Sequence, residues 1–190
     1  EGQSLLPDDE VLGLATRMEG HPDNVAAALL GGFTTAWMDS TEDAHASAVT
    51  RATHPAVVPV IFVPQQSMPT EHARTLLDDT VSRADAVFNL GRTALLAHAL
   101  VSDPTMLFPA TEDRLHQDAR AHAYPDSHAL VMSLRQSGIP AVVSGAGPTV
   151  LAFTVDDEER AVATAAAPEG WRTLAVPVDA DGARVHIRGS

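Results

Sequence analysis

Three features of the 190-residue sequence predict an α+β fold. From about residue 55 onward, strand-length apolar runs and helix-period segments follow one another as β, α, α, α, β, β, α, β, which describes a sheet with helices on one face. The run Val57–Val63 is continuously apolar and bordered by proline, as expected of an edge strand or the first strand of a sheet. The first 50 residues hold only two helices and a hairpin, too little for a closed core. A boundary is therefore expected between a first segment, 1–54, and a second domain, 55–190.

Each element has a local reason. "PDDEVLGLATRME" (7–19) has Asp8 or Asp9 as a cap, acids in its first turn, and Val11, Leu12, Ala15 and Met18 as an apolar face. "DNVAAALLGG" (23–32) predicts a second helix, capped by Asp23 and stopped by Gly31 or Gly32, and buried because it is apolar on nearly every side. "FTTAWM" (33–38) and "SAVTRAT" (47–53) predict two strands across the polar turn "DSTEDAHA". After the Val57 strand come a helix near 70–80, a long helix over 83–101, and a short helix in "EDRLHQDARAHAYPD" (112–126). "SHALVMSLRQSG" (127–138) predicts a helix ended by Gly138. "PAVVSGAGPTVLAFTV" (140–155) predicts strand, glycine loop, strand. A helix over 156–168 and two short strands in 171–187 complete the chain.

The formal net charge of -13 argues against nucleic acid and anionic membranes as partners. Anionic substrates remain compatible with locally focused arginines, and all 12 basic residues other than histidine are arginine. The absence of cysteine excludes disulfides and thiolate catalysis, and the absence of lysine excludes a Walker-type phosphate loop within the chain. No apolar run approaches about 18 residues and no signal peptide is visible, so a soluble, cytoplasmic protein is expected. The chain does not begin with Met, which leads us to expect a processed terminus or a piece of something longer.

Three stretches carry candidate chemistry. In "EGHPDN", Glu19 can supply a magnesium carboxylate, Asp23 and Asn24 can orient a hydroxyl, and His21 adds a donor; the same stretch also suits a plain helix start. In "SGAGPTVLAF", Gly145 and Gly147 can expose backbone N–H groups to an anion, or can simply form a turn between strands. Arg92 lies in a mostly apolar helix and Arg120 in the cluster "HQDARAH". Either can hold a carboxylate bidentately, and Arg92 can equally be a snorkelling surface residue. His116, His122 and His128 lack a standard ligand spacing and suit solvated side chains better than a metal site.

Together, "EGHPDNVAAALLGG", "NLGRTALLAHAL", "EDRLHQDAR" and "SGAGPTVLAF" resemble, in order and spacing, the homoserine kinase family, a branch of the GHMP small-molecule kinases. The resemblance covers nearly all of the chain and matches the C-terminal 60% or so of such an enzyme. It implies the end of a ribosomal S5 domain 2-like domain, followed by a ferredoxin-like domain. It implies ATP-dependent phosphorylation of the L-homoserine hydroxyl to O-phospho-L-homoserine, on the route to threonine. By the same resemblance Glu19 binds Mg2+, and His21, Asp23 and Asn24 face the substrate, with Asp23 and Asn24 catalytic. Arg92 and Arg120 clamp the homoserine carboxylate. The loop Ser144, Gly145, Ala146 and Gly147 packs against the ATP-phosphate loop. That phosphate loop, a "PxxxGLGSSA"-like segment, does not occur in these 190 residues. The chain alone is therefore expected to be inactive, with the missing segment lost or supplied as a separate chain, and with a homodimer expected for the intact enzyme. The alternatives are a non-catalytic binding or regulatory module on the same C-terminal fold, or a GHMP kinase for another small alcohol.

Overall fold

The computed structural model describes residues 6–40, 45–65, 76–77 and 79–184. The chain divides into two compact units, Glu1–Thr53 with Val178–Ser190, and His54–Pro177.

In the first unit, α1 (Asp8–Glu19) carries Asp8, Asp9 and Glu10 in its first turn, where the helix dipole favours acids. Neither Asp8 nor Asp9 caps it. The cap position is Pro7, whose carbonyl accepts from Val11 N–H. Leu12 and Thr16, one turn apart, form its buried stripe, while Met18 is 90% exposed. At 100° per residue Met18 lies about 120° round the helix from Leu12, so it leaves the face it was expected to share. Gly20, left-handed at φ 92°, ends the helix with its N–H on the Thr16 carbonyl.

Helix α2 (Asp23–Leu30) buries Ala26 and packs Val25 and Leu29 inward, but Ala27 and Ala28 are exposed. It is thus one-sided rather than buried all round, and small alanines make its outer face cheap to expose. Strands β1 (Phe33–Ser40) and β2 (His45–Arg51) pair antiparallel, with Phe33 opposite Arg51 and a bulge between Met38 and Ser40. Both strands reach further toward the turn than the sequence predicts.

The tail from Val178 belongs to this unit, not to the second domain that was expected to run to residue 190. Gly32 N–H donates to the Asp179 carbonyl at 2.7 Å and Ala183 N–H to the Leu29 carbonyl at 3.2 Å. The second of the two strands expected in 171–187 is accordingly replaced, through residue 184, by this turn; residues 185–187 lie outside the described residues. Glycines permit the close approach. Gly31 has φ 68°, and a Cβ there would sit 2.6 Å from Gly182 N and 2.8 Å from Asp179 O. Gly31→Ala is expected to destabilise this unit by at least about 2 kcal/mol in urea melts. Gly20→Ala, left-handed but in open space, should cost only about 1 kcal/mol.

In the second unit, β3 (Val58–Val63) is followed by α3 (Arg83–Val101), a 3-10 turn at Pro104–Met106, and α4 (Leu107–Ala110). Then come α5 (Gln117–Arg120), a 3-10 turn at Ala121–Ala123, α6 (Pro125–Gln136), β4 (Ala141–Val143), β5 (Val150–Thr154), α7 (Asp157–Ala165) and β6 (Arg172–Ala175). Most of the helix expected near 70–80 lies outside the described residues. The sheet order is β4-β5-β3-β6, antiparallel throughout. Each helical crossover, β3 to β4 and β5 to β6, spans one intervening strand, which is the double split βαβ of a ferredoxin-like fold.

Strand β3 is therefore central, not an edge. Its Pro59 is tolerated because pairing with β6 begins only at Val60, and the Pro59 carbonyl still accepts from Val176 N–H at 3.1 Å. The core joins Val60 and Phe62 of β3, Val150 and Ala152 of β5, and Leu130, Val131 and Leu134 of α6. Caps fix the helix starts. Ser82 Oγ accepts from Asp85 N–H at 3.0 Å for α3. Asp156 accepts from Glu159 N–H while Glu159 accepts from Val155 N–H, both at 2.8 Å, a reciprocal cap for α7.

Candidate active site

The sequence-predicted site residues fall into two sets, one in each unit. In the first, Glu19 is the last residue of α1 and is exposed; the left-handed Gly20 then turns the chain toward α2. Asp23 is not the cap of α2 but its first helical residue, with Pro22 in the cap position and no side-chain cap bond. Its carboxylate is oriented sideways instead. His21 Nδ1 lies 2.6 Å from Asp23 Oδ1, and Asn24 N–H donates to the same oxygen at 2.6 Å. Asp23 remains 69% exposed and Asn24 is exposed, so both can meet a ligand. Among the described residues no three His, Asp or Glu side chains gather into a metal cage. Glu19 is a single exposed carboxylate, and a cation held by one protein carboxylate takes its other ligands from phosphate and water oxygens.

The second unit builds its set around a residue to which the sequence assigned no role. Asp113 accepts five hydrogen bonds. Its Oδ1 takes Asn89 Nδ2 at 2.7 Å, Leu115 N–H at 3.2 Å and His116 Nδ1 at 3.0 Å. Its Oδ2 takes His116 N–H at 2.8 Å and Gln117 N–H at 2.7 Å. Burial alone would raise the Asp113 pKa, but these donors, led by the Gln117 amide, outweigh it and hold the value at about 2. Asn89 completes the staple, its Oδ1 accepting from Arg114 N–H at 2.9 Å.

This hub locks two arginine-bearing segments together. Arg92 follows Asn89 by one turn on α3. Its Nε donates to Glu112 Oε2 at 2.9 Å, its Nη2 lies 2.7 Å from the same oxygen in an ion pair, and its guanidinium lies 4.5 Å from the centre of the Phe88 ring. Arg120 follows Gln117 by three residues and is only 8% exposed. Gln117 Oε1 accepts from Val143 N–H at 2.8 Å, tying α5 to the end of β4, immediately before Ser144.

Tyr124 extends the link. Burial pushes its hydroxyl pKa up, and the charge of neighbouring Arg120 pulls against it. Its ring packs on the glycine loop so closely that a Cβ at Gly147, φ 83°, would lie 2.8 Å from Tyr124 Cε1. Within the loop, Ser144 N–H donates to the Thr149 carbonyl at 2.8 Å and Gly147 N–H to the Ser144 carbonyl at 3.0 Å. Ser127 Oγ holds the Pro148 carbonyl at 2.6 Å from the start of α6. Arg92, Arg120 and the loop Ser144–Gly147 are thus one connected assembly. The three histidines are not: His116 serves Asp113, His128 Nε2 lies 3.1 Å from Asp118, and His122 is exposed.

Asn89, Glu112 and Asp113 open the very stretches "NLGRTALLAHAL" and "EDRLHQDAR", so the signal lay in their position beside the two arginines.

Comparison with known proteins places this fold among solved structures of similar architecture. The structure superimposes on a homoserine kinase from Cytophaga hutchinsonii with a TM-score of 0.82, at 21% identity over 94% of this chain and 60% of that one. A putative homoserine kinase from Listeria monocytogenes gives 0.72 at 24% identity, over 97% and 62%. A mevalonate diphosphate decarboxylase from Staphylococcus aureus gives 0.60 at 21%, over 93% and 60%.

In sequence, the chain is similar to several homoserine kinases. It is 52% identical to the homoserine kinase of Streptomyces avermitilis over 184 residues, 97% of this chain and 59% of the relative. It is 46% identical to that of Clavibacter michiganensis over 190 residues, 98% and 59%. The chain thus spans about 59% of the length of the curated relatives it matches. No family model matches it.

Proposed function

We propose that this chain forms the acceptor side of an ATP-dependent kinase that phosphorylates the hydroxyl of L-homoserine, giving ADP and O-phospho-L-homoserine. The observation that carries this is the pair Arg92 and Arg120, fixed through Asp113 into one assembly in a chain 52% identical to a homoserine kinase. Planar guanidinium forks are suited to a substrate carboxylate. Asp23, aligned by His21 and the Asn24 amide, and Asn24 beside it orient the substrate hydroxyl. Transfer then rests on positioning and on charge stabilisation around the phosphoryl group. Glu19 would hold Mg2+, which supplies charge neutralisation at the phosphates when bound. The loop Ser144, Gly145, Ala146 and Gly147 flanks the nucleotide phosphates.

The homoserine kinase relationship supports ATP as the phosphoryl donor and a place in threonine biosynthesis. Among the described residues no helix is long and apolar enough to cross a membrane. Action in the cytoplasm as a homodimer, with the phosphate loop on a segment outside these 190 residues, goes with the same reading.

The protein expressed from its own gene, incubated with ATP, Mg2+ and L-homoserine, is expected to yield a phosphate monoester of homoserine by 31P NMR. Release of inorganic phosphate without that ester would contradict the assignment.

A further inference from the structure

Arg92 is built more carefully than a surface arginine needs to be. A guanidinium offers two bidentate faces, the side formed by Nε and Nη2 and the end formed by Nη1 and Nη2. Glu112 takes the side with a single oxygen, at 2.9 and 2.7 Å, and the guanidinium lies 4.5 Å from the centre of the Phe88 ring, which Arg114 shares at 3.8 Å. Among the described residues no hydrogen bond or ion pair is made by Nη1, and Arg92 retains 32% side-chain exposure. Glu112 itself is 39% exposed, and a pair this accessible contributes little to stability. Its place in the chain is nevertheless tightly held, because Asp113, the next residue, is clamped to Asn89 at 2.7 Å, one turn before Arg92 on α3. The geometry therefore spends a rigid backbone position on aiming one exposed cation.

We infer that Glu112 is a positioning residue. It fixes the rotamer of Arg92 so that the Nη1–Nη2 end meets the carboxylate of the acceptor, which sets the preference for a carboxylate-bearing alcohol. This rests on the assignment of Arg92 to the substrate carboxylate made above. Glu112 touches no reacting atom. With the charge removed, Arg92 regains its rotamer freedom and the acceptor must order it on binding, so the loss falls on acceptor affinity and not on the chemical step.

The test uses the protein expressed from its own gene, with L-homoserine and its carboxylate-free analogue 2-aminobutane-1,4-diol as acceptors. Glu112→Gln is expected to raise the KM for L-homoserine about tenfold or more, with kcat within about threefold and an unchanged melting temperature. Its effect on kcat/KM for the diol should stay within about twofold. In an Arg92→Ala background Glu112→Gln should add less than about twofold, because the residue it serves is gone. A KM for L-homoserine that is unchanged or lowered by Glu112→Gln, an equal loss for both acceptors, or full additivity with Arg92→Ala would overturn the inference. If Arg92→Ala itself leaves that KM unchanged, the carboxylate assignment falls instead, so the two failures are told apart.

Discussion

Arg120→Ala is expected to lower kcat/KM for L-homoserine by about a hundredfold or more, chiefly through KM, while leaving a carboxylate-free acceptor much less affected. Arg120 is 8% exposed, held between the Asp113-anchored segment and Tyr124. A charge so desolvated is strong toward a carboxylate that reaches it, since water competes poorly there. Arg120→Lys should recover little, because an ammonium cannot present a fork and its strong hydration opposes burial. Steady-state kinetics with both acceptors give the readout. Equal losses for the two would mean that Arg120 maintains structure and does not recognise the carboxylate.

Asp113→Asn should be the most damaging near-isosteric change in the second unit. It places an NH2 group against amide donors from His116 and Gln117 that now share a carboxylate oxygen at 2.8 and 2.7 Å. A depression of the pKa from 3.8 to about 2 corresponds to about 2 kcal/mol of native-state stabilisation at neutral pH. Facing donors add to this, so a loss of about 3 kcal/mol is expected in urea melts at pH 7.

The sign of the pH dependence follows from the depressed value. The Asp113 contribution is complete above the unfolded-state pKa of 3.8 and disappears as pH falls toward about 2. The stability gap between wild type and Asp113→Asn should therefore be constant from pH 7 to about 5 and narrow below about 4. A gap that widens in acid would contradict the assignment of Asp113 as the ionised hub. Because Asp113 sets both arginine segments, the variant should also lose activity toward L-homoserine well beyond its loss of folded protein.

Local rules made much of this fold legible. The sequence predicts the long helix over 83–101 and it runs from Arg83 to Val101, since its apolar residues recur at helical spacing. The α+β class was likewise visible in the alternation of apolar runs. What escaped was set by distant partners. The run around Val60 reads as an edge strand or the first strand of a sheet; it is the first strand of its sheet in the chain but lies centrally, since nothing local reveals that β6 pairs only from Val60 onward. The tail from Val178 reads as strand, but Gly31 and Gly182 allow it to return to the first unit. Met18 reads as part of an apolar face with Val11, Leu12 and Ala15, but the buried stripe runs through Leu12 and Thr16 and leaves it exposed.

In the candidate site, the residues with evident chemistry could be picked out one by one: Glu19, His21, Asp23, Asn24, Arg92, Arg120 and the Ser144 loop. The groups that hold them could not. Asn89 and Asp113 are 24 residues apart, and Gln117 and Val143 are 26 apart. Hydrogen bonds at that separation leave no periodic trace in a single sequence.

The most direct measurement is acceptor-dependent ADP release by the protein expressed from its own gene, with L-homoserine, mevalonate and galactose compared at equal concentration. Only L-homoserine should stimulate release, and the stimulation should be lost in Arg92→Ala, Arg120→Ala. Release that is equal for all three acceptors, or that survives removal of both arginines, would contradict the assignment of this chain as the acceptor side of a homoserine-phosphorylating enzyme.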